Sequence, residues 1–545
     1  MPPDLVFLFS DKTENPDRFF QGYFFYDSDY VFGEGGFEAF CQARGLNRLI
    51  REDGCYVQAE RQKGGYYRFS ADHSGYKKLF YFWDNRFWVV SNSLHRISAH
   101  LRQHGYRVLP DSSQLAAMAT EGTFYPTGRG SFFSQLTSFD TIIRGVRLVP
   151  ADCALWIGPS GVRMEKTIHH LPNDYQDQLG RFINTWIGRL NTLVNDPSVQ
   201  VSCDLTGGLD SRAVFALLLG AVRGRDSDIT NQPQIRSGPG LAAWRDRAIA
   251  ARICKHFGLS LNGRPGMKPT RLNAQACYAL WKDLCLGAYH PINFPSTSAS
   301  GGIVHLGGGG GENHRPFYSQ FPGAPSADTF VARRTQNIVL PSARPGFEVA
   351  LQRAMDMIME DSPEHLDALA CHYRHFRNRF HFGRDAQYAV TFQPLGSKLL
   401  DSATAMAGRS RFRNAQVHYD ILYNLKPELL DMPFDRRRKR PGSGVRRNLA
   451  SIAARPLPSG TCFIDDAHAP PEETRKGKER ISAIDPLRDE FRRAKSGFAA
   501  DFLGNAYIRL AERSLETAAR KGKFSGPIRS KRVAAVLACG LFESR

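Results

Sequence analysis

The stretch Thr206-Gly-Gly-Leu-Asp-Ser211 decides how the chain around it folds. Residues 199–205 before it are apolar and β-rich enough to form a buried strand. Residues 212–219 after it favour a helix with an apolar face. A strand, a tight glycine turn and a helix N-terminus in this order make an anion site, because the first-turn N–H groups point outward with the helix dipole behind them.

The residue types in this turn suit a phosphate. Gly207 and Gly208 let the backbone come close to a ligand, and the hydroxyls of Thr206 and Ser211 can donate to phosphate oxygens. Asp210 would repel a bare phosphate, so a bridging Mg²⁺ bound by Asp210 is the simplest explanation. The alternative is an ordinary glycine turn. The spacing is not that of a Walker A loop, which ends in Gly-Lys-Ser/Thr.

The stretch resembles the Ser-Gly-Gly-x-Asp-Ser pyrophosphate loop of ATP pyrophosphatases that form acyl-adenylates, with Thr206 in place of the first serine. Two further segments, 72–93 and 138–150, resemble parts of the glutaminase domain of asparagine synthetases. That domain exposes a cysteine as its first residue after Met removal. Here position 2 is Pro2 and the first cysteine is Cys41, so we expect a degenerate glutaminase-like domain without its nucleophile.

Composition sets the broad class. A length of 545 residues allows two or three domains, and 42% hydrophobic and 23% charged residues are ordinary for a globular protein. The sequence contains no apolar run that could span a membrane, no secretory signal and no Cys-x-x-Cys pair, so we expect a cytoplasmic protein with reduced cysteines. The net charge of +19 favours anionic partners without choosing among them.

The first half of the chain is predicted to be β-rich. Strand candidates lie at 4–10, 21–26, 65–70, 79–82 and 87–91. A helix over 174–194 should link this domain, residues 1–172, to a second one, residues 173–545. The resemblance implies an N-terminal nucleophile-type αββα architecture for the first domain.

The second domain is predicted to be a doubly wound parallel sheet of the ATP-pyrophosphatase type (adenine nucleotide α-hydrolase-like) with helical extensions. After the glycine turn come a strand at 228–235, a helix at 247–257 capped by Asp246, and a strand at 302–306. Ligands bind at the carboxyl ends of the strands in such sheets. The turn at 206–211 lies at that position.

Five glycines follow the strand at 302–306. The amides of Gly307, Gly308 and Gly309 are free to wrap an anion or an adenine edge, although a flexible surface loop has the same composition. The segment resembles the Ser-Gly-Glu-Gly-x-Asp-Glu loop of asparagine synthetases, but Gly308 and Gly311 replace two of its acids. Glu312 keeps the third, and the resemblance makes it a candidate catalytic residue.

Three later segments carry predictions. Residues 366–382 are dense in Arg, His and Tyr and could grip a carboxylate or a phosphate, although a solvated helix face is the alternative. The basic run 436–444 resembles the loop that carries the family's catalytic lysine, and Lys439 is its only lysine. Residues 456–478 are rich in proline and charge, which predicts a mobile loop.

The resemblance as a whole implies an ATP-dependent, AMP-forming amide-bond synthetase. Its cofactors would be ATP and Mg²⁺, its substrate a small-molecule or peptide carboxylate, and its second reactant an amine or ammonia. A ring-closing synthetase of the β-lactam or lasso-peptide type, a tRNA-modifying adenylating enzyme and a nucleotide-binding pseudoenzyme remain open. The N-terminal domain order makes nucleic acid the less expected partner.

Overall fold

The structure, a computed structural model, describes residues 5–46, 48–121, 132–167, 174–222, 232–238, 244–263, 267–317, 326–360, 362, 366, 368–453, 455–465, 483–524 and 526–543. Its strands are β1 (Leu8–Ser10), β2 (Arg18–Tyr26), β3 (Asp29–Phe32), β4 (Asp53–Arg61), β5 (Tyr67–Ala71), β6 (Phe80–Asp84), β7 (Phe87–Ser91), β8 (Arg147–Leu148), β9 (Cys153–Gly158), β10 (Gly161–Lys166), β11 (Gln200–Asp204), β12 (Gln234–Arg236), β13 (Ile303–Leu306), β14 (Thr391–Phe392) and β15 (Cys462–Ile464).

Its helices are α1 (Gly33–Arg44), α2 (Leu94–Gln103), α3 (Ser112–Ala119), α4 (Tyr175–Asn195), α5 (Leu209–Ala221), α6 (Trp244–His256), α7 (Ala274–Cys285), α8 (Ala327–Thr335), α9 (Arg344–Met359), α10 (Ala368–His372), α11 (Arg379–Ala386), α12 (Lys398–Met406), α13 (Gly408–Arg413), α14 (Gln416–Leu425), α15 (Ser443–Arg447), α16 (Ile484–Ala494), α17 (Phe498–Leu503), α18 (Asn505–Lys521) and α19 (Pro527–Cys539). The chain is therefore a mixed α/β protein, as the sequence predicts at that level.

The first half contains two sheets that pack face to face. One has the strand order β1-β7-β6-β8 and is antiparallel, and the other has the order β10-β9-β5-β4-β2-β3-β15. Aromatic side chains fill the space between them: Phe9 of the first sheet meets Phe69 of the second at 5.3 Å between ring centroids. Helix α1 covers the outer face of the second sheet, where Phe40 packs on Phe24, and α2 contacts β7 of the first. Strands lie in all five predicted segments, although the segment predicted at 4–10 is a strand only at 8–10 and residue 4 lies outside the described residues.

The last strand of the larger sheet comes from the far end of the chain. The sequence predicts a mobile loop over 456–478, and the structure differs at 462–464, where β15 pairs in parallel with β3. Asp465 then accepts a hydrogen bond from the N–H of Gly35, at 3.0 Å. Residues 466–478 of the predicted loop and the domain boundary at 172/173 lie outside the described residues.

The third sheet is parallel and has the order β12-β11-β13-β14. The chain leaves β11 on one side to reach β12 and later returns on the other side as β13, so the order reverses between β11 and β13. Such a reversal opens a crevice at the carboxyl ends of the two strands. The predicted strand at 302–306 is confirmed as β13. Of the strand predicted at 228–235, only the end is seen as part of β12, since 228–231 lie outside the described residues.

The parallel sheet is fixed against the first half of the chain. Phe392 of β14 packs on Phe25 of β2, with ring centroids 4.4 Å apart. Arg189 of α4 pairs with Asp53 of β4 at 2.6 Å, and both side chains are buried. Because a buried pair needs both partners in place, it helps to fix the two halves in one arrangement.

The remaining helices form one further core. Helices α7 to α10 and α16 to α19 bury their apolar faces together with α2 and α3 of the first half. Among the residues that the structure describes, none of the helices combines the length and the apolar character that a membrane crossing demands.

Candidate functional site

The turn between β11 and α5 is closed by its own hydroxyl groups. The N–H of Thr206 donates to Ser211 Oγ at 3.1 Å, and the two hydroxyl oxygens lie 2.9 Å apart. The N–H of Gly208 donates to Thr206 Oγ1 at 3.1 Å. The predicted phosphate donors are therefore used first to shape the turn, which presents the N-terminal amides of α5 at the crevice.

Gly207 is packed so tightly that only glycine fits. A Cβ atom there would lie 2.8 Å from Ile249 Cδ1 and 2.9 Å from Asp435 Cβ. Its N–H donates to Asp246 Oδ1 at 3.0 Å. The sequence predicts Asp246 as the N-cap of this helix. In the structure Asp246 lies within the first turn of α6, and its carboxylate accepts the hydrogen bond from the turn at 206–211.

Gly208 faces the lysine that the sequence singles out. A Cβ atom on Gly208 would lie 3.9 Å from Lys439 Nζ. Lys439 Nζ pairs with Asp435 Oδ2 at 2.9 Å, and the N–H of Asp435 donates to the carbonyl of Gly207, also at 2.9 Å. Two segments more than two hundred residues apart in sequence are thereby brought together at one end of the sheet. The catalytic role of Lys439 stays a prediction.

The five-glycine run is a packed segment. A Cβ atom on Gly308 would lie 3.0 Å from the backbone nitrogen of Ser211, so the run lies directly on the start of α5. A Cβ atom on Gly307 or Gly309 would come within 2.8 Å of Gln393. The N–H of Gly309 already donates to Gln393 Oε1 at 2.6 Å, and that of Gly307 donates to a backbone carbonyl. Of the three predicted anion donors, Gly308 lies closest to the turn.

A charged cluster surrounds the acid of the turn. Arg315 donates to Asp210 Oδ2 at 2.6 Å and lies 3.6 Å from Glu312 Oε1. His418 Nε2 lies 2.9 Å from Asp210 Oδ1. Burial alone would raise the pKa of Asp210, but the charge of Arg315 and the contact with His418 lower it well below its usual range. Burial and the charge of Asp210 raise the pKa of Glu312.

The predicted Mg²⁺ at Asp210 stays a prediction, and Asp210 and Glu312 are the two carboxylates that would hold it. Mg²⁺ takes six oxygen ligands in octahedral geometry, usually one or two carboxylates completed by water and substrate phosphates. Asp210 Oδ2 accepts a hydrogen bond from Arg315, whereas Asp210 Oδ1, 2.9 Å from His418 Nε2, and Glu312 Oε2 are buried without a hydrogen-bond partner among the described residues. Within the described residues no group of three or more His, Cys, Asp or Glu side chains is placed to hold a metal ion.

A cavity of about 500 Å³ lies next to this cluster, between the two halves of the chain. Asn313 lines it, whereas the adjacent Glu312 belongs to the cluster around Asp210. The cavity is therefore separated from the turn by a single segment. Its charged and imidazole lining comprises Arg51, His73, Asp152, Lys166, Arg374, His375, Lys398 and Asp401.

The lining carries more basic than acidic groups. Asp401 pairs with His73 at 2.7 Å and also with Arg374. Burial alone would raise the pKa of Asp401, but Arg374 and His73 lower it below its usual range. Burial lowers the pKa of His375 to about 4, so this imidazole is neutral at pH 7. A neutral imidazole beside arginines and lysines suits a ligand with a carboxylate group.

A short π-helix at 373–378 supplies part of this lining. The sequence predicts an anion-gripping role for the surrounding cationic stretch, and the structure divides the stretch between two roles. Arg374 and His375 face the cavity. Arg379 instead donates to the carbonyls of Gly75 at 2.9 Å and Val149 at 2.8 Å, which ties the helix to the first half.

Several residues of the site escape the sequence reasoning. Arg315 lies three residues after Glu312, and that helical spacing is the one signal that could have paired them. His418 comes from a distant helix that no motif singles out, and Asp246 is predicted only as a helix cap and not as a partner of the turn. Comparison with known proteins adds nothing here, since no protein-family model and no curated protein matches the chain.

Proposed function

We propose that this chain is an ATP-dependent, AMP-forming amide-bond synthetase of the asparagine-synthetase type. Its first half would be a degenerate glutaminase-like αββα scaffold, and its second half an ATP-pyrophosphatase-type domain. The two facing sheets with helices outside them and the parallel sheet beyond support these assignments. The proposal rests on the site more than on the fold, because one fold serves many functions.

One observation carries the proposal. The turn at 206–211, the glycine run, Glu312 and Lys439 come from three distant parts of the sequence and meet where β11 and β13 end. The sequence alone indicates phosphate or acyl-adenylate chemistry for each of them. Chance placement would scatter them over the surface.

The arrangement supports a two-step reaction. A carboxylate bound in the cavity attacks the α-phosphorus of ATP, and pyrophosphate leaves from the turn at 206–211. An amine or ammonia then attacks the carbonyl carbon of the acyl-adenylate, the amide bond forms, and AMP leaves. Lys439 places a positive charge beside Gly208, where charge develops on the phosphates. Arg374 would hold the carboxylate of the substrate.

The amine would come from solution or from the substrate itself. A glutaminase needs a reactive thiolate. Burial and then the charge of Asp152 raise the pKa of Cys153, the cysteine that follows a cavity residue, to about 12. A ring-closing reaction, with amine and carboxylate on one molecule, therefore remains within the proposal.

Adenylation of tRNA is the alternative that the net charge of +19 would suit.

A nucleotide-binding protein without turnover is the second candidate. The observation that favours it is the closed state of the turn, in which Asp210 is held by Arg315 and the two hydroxyls bond to each other. Such a turn can bind phosphate through α5 without promoting attack at the α-phosphorus.

Pyrophosphate release from ATP with a panel of carboxylates, with and without ammonium or glutamine, tests the proposal. We expect release that depends on a carboxylate and does not require glutamine. ATP binding without release on any carboxylate would support the second candidate. Release that depends on tRNA would support the tRNA-modifying alternative.

A further inference from the structure

Asp204, the last residue of β11, places a carboxylate two residues before the turn at 206–211, and 50% of its side chain is exposed. Its Oδ2 lies 3.1 Å from Nε2 of His305, on the neighbouring strand β13. Nδ1 of the same imidazole lies 3.0 Å from Ser202 Oγ. Because both ring nitrogens have a partner, the imidazole is held in one orientation and fixes the carboxylate of Asp204 at the end of the sheet.

The three side chains lie on one face of the parallel sheet, and they make that face polar. Their neighbours along the two strands are buried on the opposite face, in the core: Val201, Cys203, Val304 and Leu306. Strands of a parallel sheet are usually apolar on both faces, because helices cover both. The departure from that pattern lies where the strand order reverses between β11 and β13. A crevice for a ligand opens at such a reversal.

A serine, a histidine and an aspartate in contact also make up the triad of many hydrolases. Ser202 is only 7% exposed, however, and it lies in the middle of β11, which pairs with strands on both sides. The N–H groups around it are engaged in the sheet and do not form the oxyanion hole that acyl transfer requires. The contacts therefore serve to hold Asp204 and not to cleave a bond.

The position of Asp204 determines which part of a ligand it can bind. A carboxylate beside a phosphate site repels the phosphates unless it is engaged with hydrogen-bond donors. Two residues of a strand span about 7 Å, so Asp204 is within reach of the group that follows the phosphates of a nucleotide. That group is the nucleoside, and its donors are the ribose hydroxyls and the amino group of adenine.

We propose that Asp204, held by His305, is the nucleoside-binding group of this site and accepts a hydrogen bond from a ribose hydroxyl or from the amino group of the base. The inference rests on the proposed function, because it takes the turn at 206–211 as the phosphate site. It adds the group by which the chain distinguishes a nucleotide from free pyrophosphate. Asp204 acts in binding, and His305 is a positioning residue.

Calorimetric titration of the full chain with ATP and, separately, with sodium pyrophosphate tests this, both in Mg²⁺. We expect Asp204→Asn to lower the affinity for ATP by about tenfold. The affinity for pyrophosphate should stay the same or rise, because a negative charge near the phosphates is removed. Asp489→Asn, at an exposed carboxylate of α16, is the control and should change neither affinity.

Two results would overturn the inference and leave the proposed function standing. One is an ATP affinity that Asp204→Asn leaves unchanged. The other is an equal fall for ATP and pyrophosphate, which would mean that Asp204 only supports the turn. If the natural protein binds neither ligand, the proposed function fails together with the inference.

Nucleotide analogues identify the donor. The 2′-deoxy and 3′-deoxy forms of ATP each lack one ribose hydroxyl, and inosine triphosphate lacks the amino group. We expect at least one of the three to bind the natural protein about tenfold more weakly than ATP does. The same analogue should bind Asp204→Asn as well as ATP binds it, because the two changes remove one interaction. Three analogues that all match ATP on the natural protein would overturn the inference.

Two variants of His305 test the positioning role. His305→Gln can still donate an N–H to Asp204 and should keep the affinity for ATP within about threefold. His305→Ala removes that donor and should lower the affinity for ATP about tenfold, with the affinity for pyrophosphate unchanged. Equal affinities for ATP in the two variants would contradict the role assigned to His305.

Discussion

His73 Nε2 lies 2.7 Å from Asp401 Oδ2, and this pair joins the first half of the chain to helix α12 across the cavity. Arg374 pairs with the same carboxylate from the π-helix. Since Asp401 and His73 are each only 9% exposed, the charge of Asp401 is balanced by side chains and hardly by water.

The substitution Asp401→Asn should therefore destabilise the fold. Removing one partner leaves the Arg374 guanidinium without its balancing charge, and such losses cost about 3–5 kcal/mol when the pair is buried. Urea unfolding measures the change. The control is Asp489→Asn, whose pair with Arg492 is 63% exposed on both sides and should be worth about 1 kcal/mol or less. Equal losses in the two variants would contradict the structural role of the cavity pair.

Lys439→Met should slow the chemistry and spare nucleotide binding. The ammonium lies beside Gly208, and in the proposed reaction negative charge would develop there as pyrophosphate leaves, so its loss should lower kcat by about 10²–10³-fold. Pyrophosphate release and ATP titration measure the two quantities separately. Arg438→Met, one residue away and exposed, is the control and should keep full activity. A rise in the Kd of ATP with kcat unchanged would mean that Lys439 only binds the nucleotide.

Gly311→Ala should disrupt the cluster around Asp210. The new methyl group would lie 2.4 Å from Asp210 Oδ1, and overpacking of this kind costs about 1–3 kcal/mol. We expect lower stability in urea and weaker binding of pyrophosphate. Gly444→Ala is the matched control, because a Cβ atom there meets nothing within 4 Å and alanine favours the helix α15 that contains it. If both variants bind pyrophosphate like the natural protein, the packing of Gly311 against Asp210 has no functional part.

The sequence predicts those parts of the fold that local patterns determine. The strand at 302–306, the helix that follows Gly208 and the meeting of the turn at 206–211 with the glycine run at one sheet edge each follow from a periodicity or a turn residue. The glycine run at 307–311 could be placed after a strand, but its tight packing against Ser211 could not be predicted, since composition alone equally suits a flexible loop.

Contacts between distant segments are the part that the sequence does not contain. His418 reaches Asp210 from more than two hundred residues away, and β15 joins β3 although 456–478 has the composition of a loop. The cavity is a third case, because its walls come from both halves and no single segment shows it. These relationships depend on tertiary packing, which overrides local preference.

In the proposed reaction, Lys166→Met should weaken the binding of the carboxylate substrate and leave the binding of ATP unchanged. Lys166 lies at the edge of the cavity with 30% of its side chain exposed, so the substitution removes a positive charge without emptying the core. We expect the KM for the carboxylate to rise about tenfold, equal to about 1.4 kcal/mol, with the Kd of ATP unchanged. Lys12→Met is the control, because Lys12 forms an exposed ion pair with Asp11 and does not line the cavity. An unchanged KM would place the carboxylate outside this cavity.

Acid should destabilise the protein at a pH where most carboxylates are still ionised. Burial lowers the pKa of His372 and His381 to about 3 and of His314 and His375 to about 4. In the unfolded chain these imidazoles take up protons below pH of about 6.5. Because the unfolded state then binds more protons, stability is fully present above that pH and falls as the pH drops below it.

The measurement is urea unfolding at pH 7.5, 6.5 and 5.5. Each of these histidines should contribute up to about 1.4 kcal/mol of loss per pH unit below 6.5. The variant His381→Gln keeps a partner for the hydroxyl of Tyr289, which lies 2.8 Å from His381 Nδ1, and should lose about 1 kcal/mol less than the natural protein between pH 6.5 and 5.5. His256→Gln, exposed at the end of α6, should follow the natural curve. Burial raises the pKa of Asp72 to about 6, which opposes the loss below that pH, so the difference between His381→Gln and the natural protein decides. Identical curves for these two proteins would contradict a neutral His381 in the folded state.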